Sequence, residues 1–265
     1  MHARRLTRYL IPVLSILAVA ELTATAAPMP TGNVTDKRVA AETSGDNWLV
    51  KGGSLAQQQF SPLKQINDRN VAHLGVAWIV EMDDPMGLAA EPIVVDGIIY
   101  ISAPRSIVRA IDAANGKVLW TFDPHVRLDF STGNSSVSRV NRGVAVWEGM
   151  VYVGTGDGRL VAIDAASGTQ VWSSLVVDPT FNGISGAPRA AVGKVFIGYS
   201  GSDEQVRGSI AAFDAKNGKE LWRFWTVPGN PARGFESKAV EMAANTWTGK
   251  EWWRQGGGSD RKSVV

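Results

Sequence analysis

From Trp48 onward the chain alternates short apolar runs with glycine turns. "IVVDGIIYIS" (Ile93–Ser102), "VAVWEGMVYVGT" (Val144–Thr155) and "AAVGKVFIGY" (Ala190–Tyr199) each set two β-branched or aromatic runs on either side of Asp-Gly, Glu-Gly or Val-Gly-Lys, and so predict hairpins. Each is followed by a strand running into Ala-(Ile/Phe)-Asp-Ala, a glycine turn and a last strand that reaches a tryptophan: "IDAANGKVLW" (Ile111–Trp120), "IDAASGTQVW" (Ile163–Trp172) and "AFDAKNGKELWRFW" (Ala212–Trp225). One unit therefore holds four strands and two tight turns. Asp112, Asp164 and Asp214 recur about fifty residues apart, as do Trp120, Trp172 and Trp222, which is the period of a β-propeller blade. No 3.6-residue periodicity accompanies the repeat, which excludes helical arrays. The predicted fold is all-β: a propeller of four-stranded antiparallel blades, about three of them complete, with the ring not closed.

Three equivalent copies of an aspartate and a tryptophan point to scaffold. Aspartate before a glycine turn accepts hydrogen bonds from the turn's backbone N–H groups. A tryptophan can lie flat on the neighbouring blade and donate its indole N–H. Stacked repeats need the same interface at each junction, so function is expected where the copies differ.

Before Trp48 the character changes. Arg4, Arg5 and Arg8, the apolar run Leu10–Ala20 and Ala24-Thr25-Ala26 form the pattern of a cleaved secretory signal over residues 1–26. That apolar run is shorter than the ~20 residues a membrane span needs, so export without a membrane anchor, to the periplasm, is expected. Residues 27–47 show no periodicity and read as a flexible N-terminal segment. Without residues 1–26, basic and acidic residues are equal in number, and nothing favours nucleic acid as a partner. The sequence has no cysteine, which rules out disulfides, thiolate metal sites, a covalently attached c-type haem within these residues and a lipidated cysteine. It does have ten tryptophans, many for its 265 residues, and the blade interface accounts for some of them.

The copies depart from one another at "GLAAEP" (Gly87–Pro92), "VNRGVAVW" (Val140–Trp147), "GISGAP" (Gly183–Pro188) and "GYSGSDEQVRG" (Gly198–Gly208). With the tryptophan repeat and "RFWTVPGNP" (Arg223–Pro231), these stretches resemble the pyrroloquinoline quinone (PQQ)-dependent methanol and ethanol dehydrogenases over Asn47–Gly258. The resemblance implies a periplasmic eight-bladed propeller that oxidises alcohols. Residues 48–258 would form part of it, and residues 259–265 are a tail outside the family pattern.

Residue by residue, the resemblance assigns Arg142 of "NRG" to the cofactor, and a guanidinium fork suits a planar polycarboxylate. Ser185 replaces a threonine of the family and keeps its hydroxyl. Ser200, Gly201 and Ser202 match a loop whose hydroxyl and backbone N–H groups contact PQQ. Asp203 stands where the family places a glutamate that binds calcium or a lanthanide, both of which take hard oxygen ligands. The family's glutamate near the quinone is Ala89 here, and Glu91, two residues on, keeps the same strand face. A vicinal cysteine pair of the family is replaced by Ser136 and Val137.

After Gly258 the sequence reads "SDRKSVV", without the tryptophan, asparagine ligand and aspartate base of the family. The resemblance thus implies an N-terminal part of a quinoprotein alcohol dehydrogenase that is inactive alone. An alcohol would be its substrate and a cytochrome c its electron acceptor. The alternative is a non-catalytic periplasmic propeller that serves as a scaffold.

Overall fold

A computed structural model of the chain describes residues 31–82, 87–126, 140–178, 183–199, 207–248 and 252–254. Residues 1–26 and the tail 259–265 lie outside the described residues. The described strands form three antiparallel four-stranded sheets, none closed into a barrel. Blade 1 is β1 (Ile93–Val95), β2 (Ile98–Ser102), β3 (Val108–Asp112) and β4 (Val118–Phe122). Blade 2 is β5 (Ala145–Trp147), β6 (Met150–Gly154), β7 (Arg159–Asp164) and β8 (Gln170–Leu175). Blade 3 is β9 (Arg189–Ala191), β10 (Lys194–Tyr199), β11 (Ser209–Asp214) and β12 (Glu220–Trp225). Strands pair in chain order within each blade, and the inner strand β5 lies against β9. This is a β-propeller of successive blades, as the repeat predicts.

The first hairpin of every blade turns through two residues in the left-handed region: Asp96 and Gly97 (φ 50° and 78°), Glu148 and Gly149 (45° and 82°), Val192 and Gly193 (46° and 70°). Both positive φ values mark the turn whose twist matches its strands. The second turn is held by the repeated aspartate. The carboxylates of Asp112, Asp164 and Asp214 accept from the backbone N–H of Ala114, Ser167 and Lys216 at 2.8, 2.7 and 2.9 Å. Their carbonyls accept from the N–H of Gly116, Gly168 and Gly218.

Each blade also carries an aromatic–alanine–tryptophan row across three strands. Tyr100, Ala110 and Trp120 are directly opposite one another, as are Tyr152, Ala162 and Trp172, and Phe196, Ala212 and Trp222. A β-bulge follows the alanine in all three blades. The small alanine lets the flanking rings meet above it, with centroids 6.0, 5.8 and 6.1 Å apart.

These rows make the blade interfaces. The Trp120 indole N–H donates to the Ala165 carbonyl at 3.0 Å and that of Trp172 to the Ala215 carbonyl at 3.1 Å. Trp78, in the extended stretch before blade 1, donates to the Ala113 carbonyl at 3.1 Å. The Tyr100 and Tyr152 hydroxyls reach the same carbonyls, Ala165 and Ala215. The turn glycine lies on the indole face. A Cβ on Gly116, Gly168 or Gly218 would stand 2.8, 2.7 or 2.5 Å from the ring of Trp78, Trp120 or Trp172. Glycine is therefore required twice over, for its positive φ and for the absent methyl.

Residues 31–47, expected to lack regular structure, are built into the fold. α1 (Asp36–Ala41) is capped by the Thr35 hydroxyl, which accepts from the Arg38 N–H at 3.2 Å. The strap reaches the first-hairpin turn of every blade. Arg38 pairs with Asp96, the Gly32 and Val34 carbonyls accept from Gly149 and Glu148, and the Asp36 carboxylate accepts from the Val192 N–H. Val34 is fully buried in the core cluster. A single buried apolar side chain gives no periodic signal, and bonds to three distant turns give none at all. A second helix, α2 (Lys238–Ala244), lies within residues 48–258, the span expected to form part of the propeller. It is capped by Ser237, and it buries Val240 and Ala244 one turn apart.

Gly168→Ala should destabilise the chain by about 2–4 kcal/mol, combining a left-handed alanine with overpacking against Trp120. Gly97 has a similar φ and open space at its Cβ, so Gly97→Ala should cost only about 1–2 kcal/mol. Denaturant unfolding checks the difference, and equal costs would remove the indole contact from the account.

Burial, and after it the nearby carboxylates, pushes the Tyr100 and Tyr152 phenols above their ordinary range. A raised folded value means that their contribution to stability is complete below an unfolded pKa of about 10 and is lost as pH climbs through the folded value. Unfolding at pH 9 and 11 should show a clear loss at 11. Unchanged stability, with tyrosinate absorbance appearing in the folded chain, would contradict it.

Candidate functional site

The inner strands of the three blades start at the end opposite the strap, and the segments leading into them are tied to one another. Glu91 forms a parallel bridge with Gly143. The Arg142 N–H donates to the Ser185 carbonyl at 3.1 Å. Gly143 has φ 129°, and a Cβ there would stand 3.1 Å from the Glu91 carbonyl. The residues ahead of β1, β5 and β9 thus meet in succession, although they are far apart in sequence.

Asn141 fixes the middle segment. It is buried, and its amide satisfies both ends: the oxygen accepts from the Ser102 hydroxyl at 2.6 Å and the Gly143 N–H at 3.1 Å, while the nitrogen donates to the Ser106 hydroxyl at 3.1 Å and the Gly154 carbonyl at 2.8 Å. Gly154 in turn has Ile184 packed where a side chain would be, 2.4 Å from its ideal Cβ. The Ile184 N–H donates to the Thr155 carbonyl, which sets Ser185 beside Arg142. Arg142 Nη1 then donates to the Ser185 hydroxyl at 2.6 Å and to its carbonyl at 3.3 Å.

Three of the residues proposed from sequence are thereby brought together. Arg142 and Ser185 are bonded side chain to side chain. Glu91 joins them through its backbone, while its carboxylate turns to another task. Glu91 Oε1 accepts from Trp48 Nε1 at 2.8 Å and from the Gly52 N–H at 2.6 Å, pinning residues 48–52 across the blades. Ser200, Gly201, Ser202 and Asp203 lie outside the described residues, as do Ser136 and Val137.

Lys51 and Arg189 complete the electrostatics and were not singled out from the sequence. Arg189 donates to the Lys51 carbonyl at 3.4 Å and to Gln57 Oε1 at 3.1 Å. Burial lowers the Lys51 pKa first of all, with the Arg189 and Arg142 charges adding to it and Glu91 opposing. Burial lowers Arg189 as well, again against Glu91. Three cations therefore face one carboxylate that is already engaged by two donors, and such a field favours an anion. Arg189 follows "GAP" directly and could have been noticed. Lys51 carries no local signal, because its setting is made by residues from other blades.

A cavity of ≈430 Å³ lies alongside this cluster, between residues 49–57 and blade 3, with Lys51, Gln57, Ile93, Val144, Arg189 and Trp222 in its wall. Arg142 and Ser185 are not among its lining residues, so the cavity and the Arg142–Ser185 pair are neighbouring features. Among the described residues, no group of three acidic or histidine side chains is placed to hold a metal ion. No described helix is long and apolar enough to cross a membrane.

Comparison with known proteins agrees with the β-propeller fold. Residues 48–253 match the family described as "PQQ: glucose/ethanol/alcohol dehydrogenase, beta-propeller domain". The quinohemoprotein alcohol dehydrogenase ADH IIB of Pseudomonas putida is 49% identical over 220 residues, covering 83% of this chain and 32% of that protein. The quinohemoprotein alcohol dehydrogenase of Comamonas testosteroni is 47% identical over 221 residues, covering 80% and 30%. Its crystal structure superposes with a TM-score of 0.78 at 42% identity, over 85% of this chain and 34% of that one. A europium-containing methanol dehydrogenase superposes with a TM-score of 0.71 at 28% identity, over 85% and 41%. The chain thus spans about a third of the length of the quinohemoprotein relatives that it matches. With the matched region running through all three blades and the segments that carry Arg142 and Ser185, the chain belongs to the PQQ-dependent glucose/ethanol/alcohol dehydrogenase β-propeller family.

Proposed function

We propose that the chain supplies one wall of the PQQ pocket of a periplasmic quinoprotein alcohol dehydrogenase. The observation that carries this reading is the Arg142–Ser185 bond at the meeting of three inner strands, in a field of three cations. The donor set fits the cofactor. PQQ is a planar polycarboxylate, and here a guanidinium oriented by a hydroxyl stands beside a lysine and a second arginine. When bound, PQQ would take up the hydride equivalent removed from an alcohol, with a cytochrome c as the electron acceptor after it.

Within that pocket Arg142 pairs with a carboxylate, and Ser185 holds the guanidinium and offers its oxygen. Lys51 and Arg189 add positive potential without being its immediate partners. Asn141 acts through Arg142 as a positioning residue. Ser200, Gly201 and Ser202 are proposed as further cofactor contacts, and Asp203 as a ligand of calcium or a lanthanide. Glu91 is proposed to orient the wall from behind, through residues 48–52.

Titrating the purified chain with PQQ, followed by tryptophan quenching, tests the reading without needing turnover. Arg142→Ala should weaken binding about 10–100-fold, as expected for loss of a charge-assisted pair worth about 1.5–3 kcal/mol. Arg142→Lys should recover only part, because an ammonium lacks the planar fork. Ser185→Ala should have a smaller effect in the same direction. Unchanged affinity in Arg142→Ala would overturn the assignment, and a wild-type chain that takes up no PQQ would favour the scaffold reading.

Export has its own check. The mature N-terminus is expected near Ala27 in a periplasmic fraction by mass spectrometry. An intact Met1 on protein recovered from the cytoplasm would contradict it.

A further inference from the structure

The turn between β6 and β7 closes as its counterpart in blade 1 does. The Thr155 N–H donates to the Arg159 carbonyl at 2.8 Å, and about fifty residues earlier the Ala103 N–H donates to the Ile107 carbonyl at 2.7 Å. The side chains differ. Blade 1 has Ala103, Arg105 and Ile107 where blade 2 has Thr155, Asp157 and Arg159. The Asp157 carboxylate accepts from the Thr155 hydroxyl and takes the Arg159 guanidinium through Nε at 3.0 Å and Nη2 at 2.6 Å. Alanine and isoleucine have no side-chain hydrogen bond to give, yet the blade 1 turn closes. The cluster in blade 2 therefore serves something other than closure, at a place where the copies differ.

What the turn holds identifies that task. The peptide between Thr155 and Gly156 is one rigid plane. Its carbonyl accepts from the Ile184 N–H at 3.0 Å, next to Ser185, and its N–H donates to the Ser106 hydroxyl at 3.2 Å, to which Asn141 also donates. The Gly158 carbonyl accepts from the Val176 N–H at 2.9 Å, so both ends of the connection from β8 to Ser185 are fixed on this turn. The connection from β4 to Arg142 is fixed there as well. Its start is held by Arg159 Nη2, which donates to the Pro124 carbonyl at 2.8 Å, and its end by the Gly154 carbonyl, which accepts from Asn141 at 2.8 Å.

We propose that Asp157 is a positioning residue for the cofactor wall: by locking residues 154–159 it sets where Arg142 and Ser185 stand relative to each other. The role rests on the reading of that pair as the PQQ contact. Thr155 is fully buried, and its hydroxyl donates to Asp157 while accepting from the Arg159 N–H at 3.1 Å, which leaves the side chain one orientation. The carboxylate–guanidinium fork has a fixed geometry of its own. Without the carboxylate the Thr155 hydroxyl is free to turn, Arg159 loses the anion that aims it at Pro124, and both connections lose their common reference.

Amide hydrogen exchange of the ligand-free chain and PQQ titration together test the role. In Asp157→Ala the Ile184 N–H should exchange about 10-fold faster, with the strand amides of blades 1 and 3 unchanged. PQQ should bind about 5–10-fold more weakly, the equivalent of one ordinary hydrogen bond. Thr155→Val should do the same, and Thr155→Ser, which keeps the hydroxyl, should restore both. Added to Arg142→Ala, Asp157→Ala should weaken binding by less than about 2-fold more, because the pair that it sets is already gone, whereas independent losses would multiply. Glu220→Ala, which breaks a comparable pair with Arg223 on blade 3, should change neither quantity. Unchanged Ile184 exchange in Asp157→Ala would overturn the proposal, and so would unchanged PQQ affinity or a loss that multiplies with that of Arg142→Ala. If Asp157→Ala does not fold, the contrast between Thr155→Val and Thr155→Ser decides in its place. If the wild-type chain takes up no PQQ, the cofactor reading falls by itself. Positioning is then decided by the Arg142 guanidinium resonances, which should average in Asp157→Ala as the bonds to Ser185 are lost, and which would contradict the proposal by staying distinct.

Discussion

The contact on which the rest of the structure depends is a tryptophan indole laid on a glycine, its N–H bonded to an alanine carbonyl of the next blade. Each part is needed by the others. The glycine has positive φ because the turn requires it, and it lacks a Cβ because the ring occupies that space. The aspartate before the turn aims the alanine carbonyl at the indole by holding the turn's N–H groups. The bulge after the row alanine resets the strand so that tryptophan and tyrosine reach one acceptor. A neutral hydrogen bond contributes only about 1 kcal/mol net, but an indole face buried against a neighbour adds a larger apolar term, and the contact recurs at every described junction.

Function follows from how this contact sets the angle between blades. Successive blades held at one angle bring their inner strands side by side, and the segments leading into those strands then meet. That is how Glu91, Arg142 and Ser185 come together across most of a hundred residues. The strap at residues 31–41 acts at the other end. By bonding to all three first-hairpin turns it resists any change in the same angle. Between strap and tryptophans the inner strands have little freedom, so a guanidinium placed at their starts is held before any ligand arrives. Preorganisation of that kind lowers the cost of ordering on binding.

The blades were legible in the sequence because their determinants are local and repeated. Asp112, Trp120 and their counterparts lie within one hairpin, and three copies leave no ambiguity of register. Arg142 and Ser185 were legible through the short stretches in which the copies differ. The strap was not legible, because what holds it is Val34 in a core made elsewhere and Arg38 on a turn almost sixty residues away. Lys51 escaped for the same reason, since a cation's role depends on burial and on charges contributed by other blades, whereas Arg189 stands directly after "GAP" and had a local signal. Glu91 shows the limit of strand parity. Two residues of shift keep the strand face, but not the partner, and here Trp48 and Gly52 claim the carboxylate.

Hydrogen exchange of the indole N–H groups, followed by NMR with each resonance assigned through a tryptophan-to-phenylalanine variant, tests the central contact most directly. Trp78, Trp120 and Trp172 donate to alanine carbonyls, and among the described residues Trp222 has no such acceptor. The account therefore predicts slow exchange for Trp120 and Trp172, intermediate exchange for Trp78 on its exposed segment, and exchange near the free-indole rate for Trp222. Fast exchange at Trp120 and Trp172, or protection of Trp222 equal to theirs, would contradict it.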